Sequence, residues 1–293
     1  MRKEFDIIVV GAGPAGLAAA LEAARQGLDV VAFEAVKPGG QALAANRVDN
    51  FPGYPEGIPG RELMGRWVRH AKACDIRMVR KRVTKLAKVG GLFSAETGSD
   101  RILGRTAIIA SGLVPKNLDI PGERELIGKR LFSYVEPATL LHSDKRVLII
   151  GGGDAAFDMA ISFAAAARDV TVVVRGASPK CTGPLMERAK SAGVNVLAGH
   201  RILSMSEHIY GASVEISDGS RSRTVDSDII VACVGKRSSL DFMDPSLCED
   251  TPGLFFAGDL RHGRQRHISM AAGEGTAAAA AAAEYLKAVT RDS

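Results

Sequence analysis

Asp6-Ile7-Ile8-Val9-Val10-Gly11-Ala12-Gly13-Pro14-Ala15-Gly16 is the stretch on which the reading of this chain turns. Its isoleucine and valine run reads as a short buried strand, the glycines as a tight turn, and the alanine-rich segment to about Gln26 as a helix. Val30 to Phe33 reads as the next strand and ends at Glu34, at about the spacing expected of an acid that binds a ribose hydroxyl. The glycine pattern then has a physical purpose. Gly11, Gly13 and Gly16 let the backbone turn, let a pyrophosphate approach, and let the helix pack close to the sheet, with Pro14 and Ala15 opening the helix. Unpaired N–H groups at the helix start carry partial positive charge toward the phosphates.

The same pattern returns 140 residues later in outline. Arg146 to Ile150 reads as a strand, Gly151-Gly152-Gly153-Asp154-Ala155-Ala156 as the turn, and the stretch to about Ala167 as a helix. Gly151, Gly153, Asp154, Ala155 and Ala156 are the candidate ligands of a second dinucleotide. Val170 to Val174 follows as a strand, but it ends in Arg175 where the first unit ends in an acid. An arginine there suits a 2′-phosphate, so this unit leans toward NADP(H), with Lys180 as a second cation. The fold class expected is α/β, with two Rossmann-like dinucleotide-binding domains, one dinucleotide held tightly and one exchanging.

Composition narrows the setting. The chain has 293 residues, 46% hydrophobic and 24% charged, which suits two globular domains. The apolar run before Gly11 is too short for a signal core or a membrane span, and the alanine tract Thr276 to Ala283 reads as a packed terminal helix. A soluble cytoplasmic protein is expected, with no membrane partner. The net charge of +5 is dispersed, which argues against nucleic acid and leaves room for an acidic electron carrier. Cys74, Cys181, Cys233 and Cys248 form no CxxC pair, and neither cysteines nor histidines fall at metal-ligand spacing.

Further motifs make the sequence similar to the low-molecular-weight thioredoxin reductases, within the two-dinucleotide-binding flavoproteins, over nearly the whole chain. They are Gly11 to Gly16, Gly39-Gly40-Gln41, Asp49 to Gly53, Ala110-Ser111-Gly112, Gly253 to Asp259 and Arg266 to Gly275. The resemblance implies FAD on the first unit, with Glu34 at the adenosine ribose and Val83 at the adenine. It puts Gly40, Gln41 and Asn50 beside the flavin, and Gly258 and Asp259 at the ribityl or pyrophosphate part. Arg266, His267 and Ile268 would lie at the flavin N1 and O2 edge, where backbone N–H groups stabilise negative charge. The resemblance also implies a homodimer, and an NAD(P) domain (116–243) inserted into an FAD domain (1–115 and 244–293). The crossover strands would be Asn117 to Pro121 and Leu240 to Asp244.

The chain departs from that family in four places, one of them the short link Asp244 to Thr251 where the family generally has a β-hairpin. Where the family carries its redox CxxC pair, this sequence reads Tyr134-Val135-Glu136-Pro137. The pyridine nucleotide signature keeps Arg175 and Lys180 but reads Val174 and Gly176 where the family has His and Arg. His267 stands where the family usually has glutamine. Of the remaining thiols Cys181 is the most promising, because Lys180 beside it could lower its pKa, although no redox role is the better expectation. The leading reading is therefore a flavin oxidoreductase that moves electrons between NAD(P)H and a small molecule or small redox protein, directly through flavin and with no side-chain acid or base required. A ferredoxin- or flavodoxin-linked reductase that does not use NAD(P)H, and a non-catalytic flavin-binding protein, remain as alternatives.

Overall fold

The computed structural model describes residues 4–45, 47–98, 100–135, 144–262 and 266–291. It divides into two compact units, one of residues 1–114 with 237–293 and one of residues 115–236.

The first unit is built on a mixed sheet. Its strands are β1 (Glu4–Val10), β2 (Val30–Phe33), β3 (Arg77–Val79), β4 (Lys85–Val89), β5 (Leu92–Thr97) and β6 (Asp100–Ile109), in the order β3-β2-β1-β6-β5-β4. β1 is parallel to both β2 and β6, and every residue from Ile7 to Val10 is buried, so the strand reads as a continuous apolar run. Helix α1 (Pro14–Arg25) starts at the glycine turn, and α2 (Gly60–Ala73) follows. A 24-residue helix, Ile268–Arg291, closes the unit and packs tightly on α1. The closeness has a sequence cause: a Cβ built on Gly275 would lie 2.0 Å from the Ala15 carbonyl oxygen, and Ala278, Ala279, Ala282 and Ala283 are buried.

Two short strands, β7 (Leu113–Pro115) and Lys236–Ser238, pair with each other where the chain leaves the first unit and returns. They lie on the N-terminal side of the crossovers expected from resemblance, Asn117 to Pro121 and Leu240 to Asp244. For the second the reason is burial. Leu240, Phe242 and Met243 pack on the first unit's core beside Leu86 and Phe93, and the Leu86 N–H donates to the Phe242 carbonyl at 2.8 Å.

The second unit contains β8 (Leu131–Phe132), β9 (Arg146–Ile150), β10 (Asp169–Val174), β11 (Asn195–Ala198), β12 (Arg201–His208), β13 (Gly211–Ser217), β14 (Ser222–Ser227) and β15 (Ile229–Ala232). Five form a parallel sheet, order β11-β10-β9-β15-β8, and β12 to β14 form an antiparallel meander. Its helices are α3 (Glu123–Leu126), α4 (Asp154–Ala164) and α5 (Gly183–Ser191), so the final helix Ile268–Arg291 is α6. The crossover return is then β16 (Lys236–Ser238), and β17 (Leu254–Phe256) joins β6 in the first unit. Helix α4 ends at Ala164, short of the expected Ala167, because Ala166 and Ala167 turn back to bond the Phe163 carbonyl. No helix among the described residues is long and apolar enough to cross a membrane.

Candidate dinucleotide sites

Both glycine turns lie where a strand passes into a helix at the carboxyl ends of parallel strands, the position at which such sheets bind ligands. In the first unit Gly11 has φ +105°, and a Cβ there would meet the Ala110 carbonyl oxygen at 2.3 Å. A Cβ on Gly16 would lie 1.8 Å from the Gly11 carbonyl oxygen, so that glycine is what lets α1 sit against the turn. Gly13, the residue before α1, makes no side-chain cap, and the helix's first N–H groups are left to face a ligand. Glu34 stands directly after β2. Its carboxylate accepts from the Ala12 N–H at 3.1 Å and the Val36 N–H at 2.9 Å, which holds it over the turn.

The remaining segments expected around the flavin all belong to this unit. Gly39 donates its N–H to the Ala12 carbonyl at 2.7 Å, and a Cβ on Gly40 would lie 2.9 Å from Gly13 Cα, so that loop presses on the turn. The Gln41 amide donates to the Leu113 carbonyl at 2.9 Å. Ser111 Oγ donates to the Ser239 carbonyl at 2.6 Å, and the Ser239 N–H donates to Gly112 at 3.0 Å. These bonds tie the Ala110 to Gly112 segment to the returning chain. Asn50 lies 3.1 Å from the His267 ring. His267 immediately precedes α6, whose first turn begins at Ile268 with Arg266 exposed before it. Val83 is buried in the apolar cluster that includes Phe33 and Phe93.

Two residues that sequence reasoning missed belong here. The Glu274 carboxylate accepts from the Gly258 N–H at 2.7 Å and contacts the His262 ring through its other oxygen, fixing the turn that carries Asp259. The signal available in sequence was a lone carboxylate among the alanines and glycines that open α6.

The second unit repeats the arrangement. Gly151 has φ +153°, and a Cβ there would meet the Cys233 carbonyl oxygen at 2.5 Å. Gly153 precedes α4 without a side-chain cap, and nothing lies within 4 Å of its built Cβ. Ala156, in the third glycine's place, is buried, while Ala155 is exposed. The Asp154 carboxylate accepts from the Thr182 N–H at 2.9 Å. Arg175 and Lys180 are exposed.

The thiols do not behave as the neighbouring lysine suggests. Burial pushes the Cys181 thiol up, with Asp154 adding to the effect, and Lys180 does not reverse it. Burial pushes Cys233 up to about 11. Cys74 and Cys248 are exposed. Cys74 lines an open groove of about 650 Å³ with Trp67, His70 and Thr276, which includes no residue of either glycine motif. Of the Tyr134 to Pro137 segment, Glu136 and Pro137 lie outside the described residues. No metal-ligand cluster occurs among the described residues.

The profile of the pyridine nucleotide-disulphide oxidoreductases matches residues 5–275. The chain belongs to this family. Among curated proteins this oxidoreductase is 28% identical to thioredoxin reductase of Treponema pallidum, with 98% of each chain covered. It is 28% identical to thioredoxin reductase of Mycolicibacterium smegmatis, over 96% of each. Among solved structures it is similar to thioredoxin reductase of Lactococcus lactis, at 25% identity and TM-score 0.82, covering 96% of this chain and 98% of that one. Thioredoxin reductase of T. acidophilum is similar at 26% identity and TM-score 0.81, with 98% and 100% covered. The chain is thus a flavin-dependent oxidoreductase of thioredoxin reductase type, with FAD and a pyridine nucleotide as its cofactors. The uncapped start of α1, the glycines at which an added Cβ would fill the turn, and Glu34 at the strand end fit an adenine dinucleotide in the first unit.

Proposed function

We propose that this oxidoreductase passes electrons between NADPH and a small-molecule or small-protein acceptor directly through flavin, with no dithiol in the chain of transfer. The observation that carries the reading is the state of the cysteines. None stands in a CxxC pair, and the two partly buried thiols are held up in pKa, which leaves little of the thiolate that disulfide exchange needs. When bound, FAD supplies two-electron and one-electron redox chemistry at its ring. The protein's part is binding and charge. The Gly11 to Gly16 turn with Gly39, Gly258 and Asp259 holds the dinucleotide, and Glu34 takes the ribose. Gly40, Gln41, Asn50 and the Ala110 to Gly112 segment surround the ring. The first N–H groups of α6, beginning at Ile268 after His267, would offer partial positive charge to the negative charge of a reduced flavin. Gly151, Gly153, Asp154, Ala155 and Ala156 receive the pyridine nucleotide, and Arg175 favours its 2′-phosphate. The protein works in the cytoplasm as a homodimer.

The test is anaerobic mixing of the yellow protein with NADPH and with NADH, followed by acceptors, in wild type and in a variant with all four cysteines changed to serine. Bleaching of flavin absorbance within seconds, with acceptor turnover unchanged in the cysteine-free variant, is expected. Loss of turnover in that variant would show a thiol relay and sink the reading.

A further inference from the structure

One carboxylate grips both ends of a turn. After β17 the chain passes Gly258, at φ +86° and ψ −158°, then the short 3₁₀ turn Asp259–Arg261, and reaches His262. The bonds within this segment are local: the Arg261 N–H donates to the Gly258 carbonyl at 3.0 Å and the His262 N–H to the Asp259 carbonyl at 3.2 Å. Its middle is tied to the returning chain, where the Ser238 hydroxyl donates to the Leu260 carbonyl at 3.1 Å. Its two ends meet on Glu274 of α6. One carboxylate oxygen accepts from the Gly258 N–H at 2.7 Å, and the other contacts Nε2 of His262.

Glu274 reaches both ends because the backbone brings α1, α6 and the turn to one point. A Cβ on Gly275 would lie 2.0 Å from the Ala15 carbonyl oxygen, and one on Gly258 would lie 2.8 Å from the Ala15 Cβ. The helix and the turn therefore both rest on Ala15 of the first glycine motif. Gly273 and Gly275 flank Glu274 and have no side chain to take its place. The same helix begins six residues earlier, at Ile268, which is about 9 Å along its axis at 1.5 Å per residue. One end of this span thus carries the first N–H groups of α6, and the other carries the grip on the turn. Over so short a length a hydrogen-bonded helix moves as one piece, so the point at which Glu274 holds the turn decides where the helix start stands.

We propose that Glu274 is a positioning residue. It sets the register between the start of α6 and the turn bearing Asp259, and through that register it sets how tightly flavin is held and how readily it is reduced. This rests on both segments lying at FAD, as proposed above, and the experiment separates the two claims. Glu274→Gln and Glu274→Ala remove the same charge, so a difference between them reads position alone, because a glutamine amide can still accept from Gly258 and reach His262. Glu274→Ala should release FAD about three- to tenfold faster than Glu274→Gln, followed by the fluorescence of the freed cofactor. Its flavin reduction potential, read by equilibration with a reference dye under excess FAD, should be the lower of the two, since the partial charge of α6 no longer stands against reduced flavin. A carboxylate that only stabilised the fold would lower the melting temperature and leave the potential of the loaded protein alone. His262→Ala should also speed release, and should add nothing to Glu274→Ala, because His262 acts through that carboxylate. Equal release rates for alanine and glutamine, equal potentials, or full additivity with His262→Ala each overturn the proposal. If Glu274→Ala does not fold, His262→Ala carries the test, and release at the wild-type rate overturns it. An Asp259→Ala protein that keeps FAD as wild type does would instead overturn the placement of this turn at the cofactor.

Discussion

The side-chain nitrogen of Asn50 lies 3.1 Å from Nδ1 of His267, joining segments 217 residues apart in the chain. The pair therefore locks the start of α6 to the loop after Asp49. His267→Ala should release FAD several-fold faster than wild type, for a bond worth about 1 kcal/mol, whereas His267→Gln should keep the cofactor because its amide can still accept. The rise in fluorescence as FAD leaves the protein measures both rates, and equal rates for alanine and wild type would remove the pair from cofactor retention.

Two glycines in equivalent turns should behave in opposite ways. Gly16→Ala drives a methyl group to within 1.8 Å of a backbone oxygen, so α1 must shift, at a cost of about 1–3 kcal/mol or more. Its melting temperature and its ratio of flavin to protein absorbance should both fall. Gly153→Ala has open space and φ −100°, so stability should drop by no more than about 1 kcal/mol. Pyridine nucleotide affinity is what it should lose, measured by titration calorimetry of the flavin-loaded protein with NADP⁺.

The second unit carries an acid-sensitive contact. Burial alone would raise the Asp228 pKa, but the side chain and backbone N–H of Arg146 outweigh it and the net shift is downward. A carboxylate held below its unfolded value stabilises the fold above that value, about pH 4, and the contribution is lost as pH falls through the folded pKa. Asp228→Asn should therefore lower the unfolding free energy at pH 7 by about 1–3 kcal/mol, and the gap from wild type should narrow in acid. Urea unfolding at pH 7 and pH 3.5 checks the sign; a gap that widens in acid would contradict it.

Alkylation should rank the thiols. Exposed Cys74 and Cys248 should react first with iodoacetamide, and Cys233 last. With its pKa near 11, Cys233 labelling should accelerate about tenfold per pH unit from pH 8 to 10. Mass spectrometry of timed samples reads each site, and fast labelling of Cys233 at pH 7 would reopen the case for a thiol relay.

The parts of the site that come from local pattern were legible in the sequence. β1, β2, β9 and β10 stand where their valine and isoleucine runs put them, and both glycine turns precede helices. Glu34 could be placed at the end of β2 because that position follows from spacing along one strand–turn–helix unit. The Gly258–Glu274 and Asn50–His267 bonds could not, since each needs the placement of α6 to bring its partners together. Burial was the other blind spot. Lys180 suggested an acidic Cys181, but desolvation beside α5 decides that pKa, and Leu240 to Met243 read as a connection until their apolar side chains found a core.

The insertion marked by β7 and β16 sets an order of manufacture. Residues 115–236 form one uninterrupted unit that can finish folding while the ribosome is still adding residues 237–293. The flanking unit cannot, because α6 and β17 are translated after that unit and α1 and β6 must wait for them. A nascent chain thus acquires its inserted unit first, and completes the flanking unit only after α6 has emerged.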